Sequence, residues 1–363
     1  MFNRSMFALI MAGGEGSRLK KLTKEVPKPL MRVGGSCYLI DFVLSNYIKS
    51  SHMDGGAIIV QYTLNHIIDY IFDWITTNSI HNFKILPPKL TSDRRQIQYE
   101  GTAHSVYLNL DVIEEQRVSD FLILASDHVY FMDYDKFFEF HVENSADLTI
   151  SSIRVPIEET HRFGVFEIDE DYNIMGFEEK PENPKSDLIS MGIYIFKKDI
   201  LIEILNKTQK DYENLDFGKH VIPYMIKNGY NVKLYKFDGF WRDIGVIEDY
   251  YDFNMGLIND DKLDEYFSFK NLGFNKKLPI AMNRISQEAS VKNCLISNGI
   301  SISGVVVNSI ISNNVIIDEN SEIINSIILD SVIVKNSVLK NVIVTDGSEI
   351  IDVDKSSDDI ELI

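Results

Sequence analysis

Cysteine occurs only twice in this 363-residue chain, at Cys37 and Cys294, which excludes a disulfide framework and a cysteine-built zinc site. Such usage fits a reducing, cytoplasmic setting. Positive charge is also short: 36 Lys and Arg stand against 54 Asp and Glu, a formal net charge of -18. A chain so charged repels nucleic acid and anionic membrane surfaces, so neither is an expected partner, and a polyanionic substrate needs a local basic pocket. Long hydrophobic runs are missing too. The opening MFNRSMFALIMAGG carries one apolar stretch, but it stops at Gly13-Gly14, short of a membrane span and without a small-residue cleavage site. His104, His128 and His161 show no paired metal-ligand spacing, and no Ser-His-Asp or Cys-His arrangement is suggested.

What is present is ample for a core, with 45% apolar and 25% charged residues over a length that favours two domains. Met6 to Met11 is nearly all apolar and ends in a glycine turn, as a parallel strand covered on both faces does. GAIIV, DFLILA and DLTISSI repeat that texture at Gly56, Asp120 and Asp147, while LIDFVLSNYIKS and HIIDYIFDWI space their apolar residues as helices do. The pattern predicts an α/β, doubly wound Rossmann-like domain over 1–260, with its ligand crevice at the carboxyl ends of the strands. After a linker over 261–284 the texture changes. Ile/Val couplets sit among Asn and Ser, and Ile311, Ile317, Ile323 and Leu329 keep a six-residue spacing, as do Val332, Val338 and Val344. That period predicts a left-handed parallel β-helix of hexapeptide rungs over 285–363, with most rungs lacking the usual glycine.

Chemistry concentrates after the first strand. In AGGEGSRL, Gly13, Gly14 and Gly16 leave room for backbone N–H groups to close on a phosphate chain, and Arg18 adds a charged donor. The loop has neither the Lys-Ser/Thr ending of a P-loop nor the spacing of GxGxxG. Lys28 supplies a second cation near it. Taken alone, each feature fits an ordinary turn or a solvated loop.

The ordered set of motifs is more specific. AGGEGSRLKKLTKEVPKPLMRVGG with LIDFVLSN, then VQY, LPP, YEGTAHSV, LILASDHVY, VPIEETHRFGVFEID, FEEKPENP, SMGIYIF, DFGKHVIP and FWRDIGVIEDYY, resembles the glucose-1-phosphate adenylyltransferases (ADP-glucose pyrophosphorylases) of glycogen and starch synthesis. The resemblance implies adenylyl transfer from ATP to α-D-glucose 1-phosphate with Mg²⁺, in a homotetramer. It implies that Asp127 and Asp243 hold the metal, with Arg18 stabilising the leaving pyrophosphate. Gly13, Gly14, Gly16, Lys28, Gln61, Tyr99, Gly101 and Thr102 would take the nucleotide. Lys180 would take the sugar phosphate, Glu179 the sugar hydroxyls, and Gly164, Ser190 and Gly192 would complete the sugar pocket.

The chain departs from that pattern at Glu15, at Ser36-Cys37-Tyr38, at Ser126 in ASDH and at His220 in DFGKH. Glu15 sets a negative charge beside the expected triphosphate. Two alternatives stay open: a pyrophosphorylase for another nucleotide sugar, disfavoured by Tyr99, VPIEE and WRDIG, and a non-catalytic regulatory subunit, disfavoured by retention of the presumed catalytic residues.

Overall fold

The computed structural model describes residues 4–363 except 15, 25, 62, 63, 94, 170–172, 262, 264–266 and 268–280. Two compact units emerge, the first from Met1–Gly14, Val43–Ser126 and Tyr130–Trp241, the second from Glu15–Phe42, Asp127–Val129 and Arg242–Ile363. Among the described residues, no helix is long and apolar enough to cross a membrane.

The first unit is built on a nine-stranded sheet. In chain order its strands are β1 (Met6–Ala12), β2 (Met53–Val60), β3 (Phe83–Leu86), β4 (Asp120–Ala125), β5 (Leu148–Arg154), β6 (Gly164–Ile168), β7 (Ile174–Glu179), β8 (Leu188–Lys197) and β9 (Val232–Lys236). They lie in the order β7-β6-β8-β4-β1-β2-β3, and β5 pairs with β8 and β9. Around β1 the pairing is parallel, and β1 and, from Phe121, β4 read as apolar runs because both of their faces are buried. Strand β8 runs antiparallel to β4, β5 and β6, so the sheet is mixed. Phe7, Leu9, Ile59, Phe121, Ile123, Phe196 and Phe217 fill one core. Register aligns Ala12 with Val60 and Met11 with Ala125, so Gly13, Gln61 and Ser126 all leave the sheet at one edge. That edge is where an open α/β sheet takes its ligand.

The second unit carries the β-helix. Parallel two- and three-residue strands stack on three faces, with Ile302, Ile317 and Val334 on one, Val306, Ile323 and Leu339 on the next, and Ile311, Ile328 and Val344 on the third, all buried. Successive coils advance by 15 to 17 residues, short of the eighteen or so of three full hexapeptides. The six-residue spacing therefore holds from Ile311 through Ile317 to Ile323 and then tightens, since the residue stacked on Ile311 is Ile328.

The missing glycines are explained at the corners. Asn293, Asn308, Asn325 and Asn341 turn the chain at φ between 47° and 55°, the left-handed region that Asn tolerates better than other side chains. Asn293 Nδ2 donates to Asn308 Oδ1 at 2.8 Å, and Asn308 Nδ2 to Asn325 Oδ1 at 2.8 Å, so the first three corners are linked; Asn341 Nδ2 donates instead to Ser357 O at 2.7 Å. Buried serines run a parallel ladder, with Ser326 N–H donating to Ser309 Oγ and Val342 N–H to Ser326 Oγ.

Asn325→Ala is expected to cost about 2 kcal/mol, combining left-handed strain with a lost hydrogen bond. Asn325→Gly keeps the conformation and loses only the bond, so it should cost less. Urea midpoints compare the two, and an alanine variant as stable as the glycine one removes conformation as the reason for asparagine.

Candidate active site

In the second unit three stretches far apart in sequence meet. Pro27, extended, leads into the short turn Lys28–Leu30, whose residues are buried. Asp127 directly precedes the strand His128–Tyr130, and Asp243 closes the strand Trp241–Asp243; the two strands pair. Lys28 Nζ donates to Asp127 Oδ2 at 2.6 Å and lies 3.4 Å from Asp243 Oδ1. His128 Nε2 stands 3.7 Å from Asp127 Oδ1 and 4.0 Å from Asp243 Oδ1. Gly16 caps the turn Ser17–Thr23 at φ 67°, and a Cβ there would sit 3.3 Å from Lys28 Cβ, so only glycine suits both the backbone and the space. Arg18 lies on that turn, exposed.

Charge governs this cluster. Desolvation alone would raise the Asp127 carboxyl, but the Lys28 ammonium, and after it His128, hold it below the usual carboxylate range. Burial pushes the Lys28 ammonium down, and Asp127 and Asp243 outweigh it, so the net direction is up. Two carboxylates on one cation are a donor set of hard oxygens suited to a divalent metal. Among the described residues, no cluster of three or more His, Cys, Asp or Glu forms an all-protein cage. Two carboxylates suit an ion that takes its remaining ligands from substrate phosphates.

The first unit holds the remaining predicted residues in two groups. At the end of β2, Gln61 is buried and its Nε2 finds no hydrogen-bond partner among the described residues. Gln61 Cβ and Tyr99 Cδ2 both lie 3.6 Å from where a Gly13 side chain would begin, while the corresponding space at Gly14 is open. A buried amide without a partner beside a glycine and an aromatic is a ready donor for a flat, polar ligand.

The second group gathers at one edge of the sheet. Gly164 and Glu179 are register partners at the ends of β6 and β7. Lys180 Nζ lies 3.6 Å from Glu179 Oε1, and Lys180 adopts φ 51°. A left-handed lysine directly before a proline is strained by about 1–3 kcal/mol, a cost found most often where function fixes a side chain. Burial raises the Glu179 carboxyl, Lys180 opposes this and Asp216 adds to it. Ser190 and Gly192 occupy a register shift in β8, where Gly192 N–H donates to Ser190 Oγ at 3.2 Å. Gly101 precedes the helix Thr102–Tyr107, and Thr102 Oγ1 donates to Asp216 Oδ2 at 2.8 Å.

Sequence reasoning gave no role to Asp216 or His220 and left His128 as a loop or hydrogen-bonding residue. The π-helical turn Phe217–Val221 beside the first two is a signal that only coordinates give. Ser126, one of the departures, donates Oγ–H to Met11 O at 2.8 Å and so ties β4 to β1. Glu15 lies outside the described residues.

Residues 7–260 match the family model of nucleotidyl transferases, and residues 280–359 that of the GlmU-like C-terminal hexapeptide region. The glucose-1-phosphate adenylyltransferase of Desulfitobacterium hafniense strain Y51 is 38% identical over 327 residues, covering 89% of this chain and 82% of the relative. That of Lachnospira eligens is 39% identical over 323 residues, covering 88% and 75%. That of Fusobacterium nucleatum subsp. nucleatum is 37% identical over 329 residues, covering 89% and 85%. The chain belongs to the glucose-1-phosphate adenylyltransferase family. It is thus a nucleotidyltransferase of the kind that uses a divalent metal, and the β-helix is the hexapeptide region matched at its carboxyl side.

In this chain, Lys28→Met leaves two carboxylates without their shared cation. The loss is expected at about 3 kcal/mol of unfolding free energy. Lys24→Met, at an exposed position of the same segment, should change stability by less than about 0.5 kcal/mol. Urea denaturation measures both, and equal small losses would remove the charge-balancing role of Lys28.

Proposed function

We propose that this chain transfers the adenylyl group of ATP to α-D-glucose 1-phosphate, giving ADP-glucose and pyrophosphate for α-glucan synthesis, with Mg²⁺, as a cytoplasmic homotetramer. A phosphate oxygen of glucose 1-phosphate forms a bond to the α-phosphorus of ATP as the bond from that phosphorus to the bridging oxygen of pyrophosphate breaks. The observation that carries the reading is the pair Asp127 and Asp243, brought onto one cation in a chain 38% identical to a glucose-1-phosphate adenylyltransferase over 327 residues. In this reading Asp127 and Asp243 hold Mg²⁺, which when bound neutralises phosphate charge. Lys180 takes the sugar phosphate and Glu179, with Gly164, Ser190 and Gly192, the sugar. Gln61 and Tyr99 face the base, supported by Gly13, Gly101 and Thr102. Gly14, Gly16, Arg18 and Lys28 serve the triphosphate. Catalysis of this kind is mostly positioning and charge neutralisation, and these residue types supply both. The division into a catalytic domain over 1–260, a linker over 261–284 and a β-helix over 285–363 belongs to the same reading, as does assembly through the β-helix.

Pyrophosphate release with glucose 1-phosphate and each of ATP, UTP, dTTP and GTP tests it, with ATP expected to be preferred. No release with any nucleotide supports the non-catalytic alternative, and preference for another nucleotide supports the other. Asp127→Asn and Asp243→Asn should each lower turnover at least about a hundredfold while the chain stays folded. Near-normal turnover at saturating Mg²⁺ would strip that residue of its role. Lys180→Ala should raise the KM for glucose 1-phosphate about tenfold more than that for ATP, because its cation serves the sugar phosphate in the ground state. Equal damage to both KM values places Lys180 elsewhere.

A further inference from the structure

The π-helical turn Phe217–Val221 lies against two residues assigned above to substrate. On one side, Thr102 Oγ1 donates to Asp216 Oδ2 at 2.8 Å and accepts from Phe217 N–H at 3.2 Å. On the other, a Cβ on Gly218 would meet Glu179 Oε2 at 2.4 Å, so the backbone of the turn is pressed against the carboxylate. How that turn begins therefore sets where Glu179 rests. Asp216 starts it: its Oδ1 accepts from Lys219 N–H at 3.0 Å, and its own backbone N–H donates to His220 Nδ1 at 3.0 Å. The His220 ring is fixed from its other face by Tyr212, stacked at 4.0 Å between ring centroids with 23° between planes.

We infer that neutral His220 is a positioning residue for glucose 1-phosphate, its Nδ1 lone pair holding the Asp216 N–H and through it the turn that backs Glu179. The inference rests on the proposed reaction for the identity of the ligand, and on geometry alone for the His220–Asp216 link.

Protonation puts a hydrogen on Nδ1 and turns the acceptor into a donor facing an N–H. The groups that act on the imidazole are Asp216 and Lys219 on its own turn, and the phenol ring of Tyr212 from the preceding loop. Burial lowers the His220 pKa, Asp216 opposes and Lys219 adds to the lowering, so the net direction is down. The neutral acceptor therefore persists to lower pH than in an ordinary histidine, and it is lost as the solution is made more acid.

His220→Ala removes the acceptor, whereas His220→Asn puts Oδ1 near the place of Nδ1 and does not titrate. At about pH 8, where histidine is neutral, the alanine variant should show a KM for glucose 1-phosphate raised about tenfold, the worth of one hydrogen bond. Its kcat and its KM for ATP should stay within about twofold of wild type. The asparagine variant should match wild type at that pH. As pH falls from about 8 to 5, the wild-type KM for glucose 1-phosphate should rise and that of the asparagine variant should not follow. Hydrogen exchange at the Asp216 amide should speed up about tenfold in the alanine variant, with no dependence on activity. An alanine variant with unchanged KM and unchanged exchange overturns the inference, as does an asparagine variant that keeps the full acid rise. A wild-type chain that makes no ADP-glucose while Asp216 exchange responds as expected overturns the proposed reaction and leaves the His220–Asp216 link standing.

Discussion

One ammonium gathers three distant stretches of chain. Lys28 sits on a turn near the amino end, Asp127 follows β4, and Asp243 lies more than a hundred residues later, yet all three meet within hydrogen-bond or salt-bridge distance. Two carboxylates this close repel each other, and neither can be desolvated without a partner. The cation removes both objections. It is itself 8% exposed, so its own charge is met by these two acids. Within the second unit this cluster joins the segments Glu15–Phe42, Asp127–Val129 and Arg242–Ile363.

The β-helix solves a different constraint with uncharged groups. Each coil must turn its corners in a left-handed conformation, and glycine would do so at the least steric cost. This chain uses asparagine at four corners and offsets the strain by hydrogen-bonding their amides, three of them to one another and the fourth to Ser357 O. Serines just beyond the corners accept backbone N–H groups from the next coil, so polar groups that burial would leave unpaired are satisfied along the axis. The abundance of Asn and Ser among Ile and Val, read from the sequence as a degenerate repeat, is thus what specifies the coil.

How much was legible follows from which forces are local. The apolar run of β1, the helical spacing of HIIDYIFDWI and the six-residue step at Ile311, Ile317 and Ile323 are local patterns, and the elements appear where they point. The shortened coil was not legible, because a drift from six residues to five depends on how whole rungs stack. In the same way, Asp127 and Asp243 were nameable by resemblance, whereas the cation between them had been assigned to phosphate alone. Asp216 and His220 stood in the motif DFGKHVIP without a role: their link is a backbone N–H on a ring nitrogen, made possible by a π-helical turn that no side-chain pattern announces.

The sheet edge around Glu179 shows where stability is given up. Lys180 holds a left-handed backbone before a proline, Glu179 is a carboxylate whose burial raises its pKa, and β8 breaks register between Ser190 and Tyr194. Each of these is unfavourable by itself, by about 1–3 kcal/mol for the backbone strain alone. They fall together at one edge, while β1 and, from Phe121, β4 run apolar through the middle of the sheet. Such costs are kept where a side chain must meet a ligand, which is the role proposed for Lys180 and Glu179.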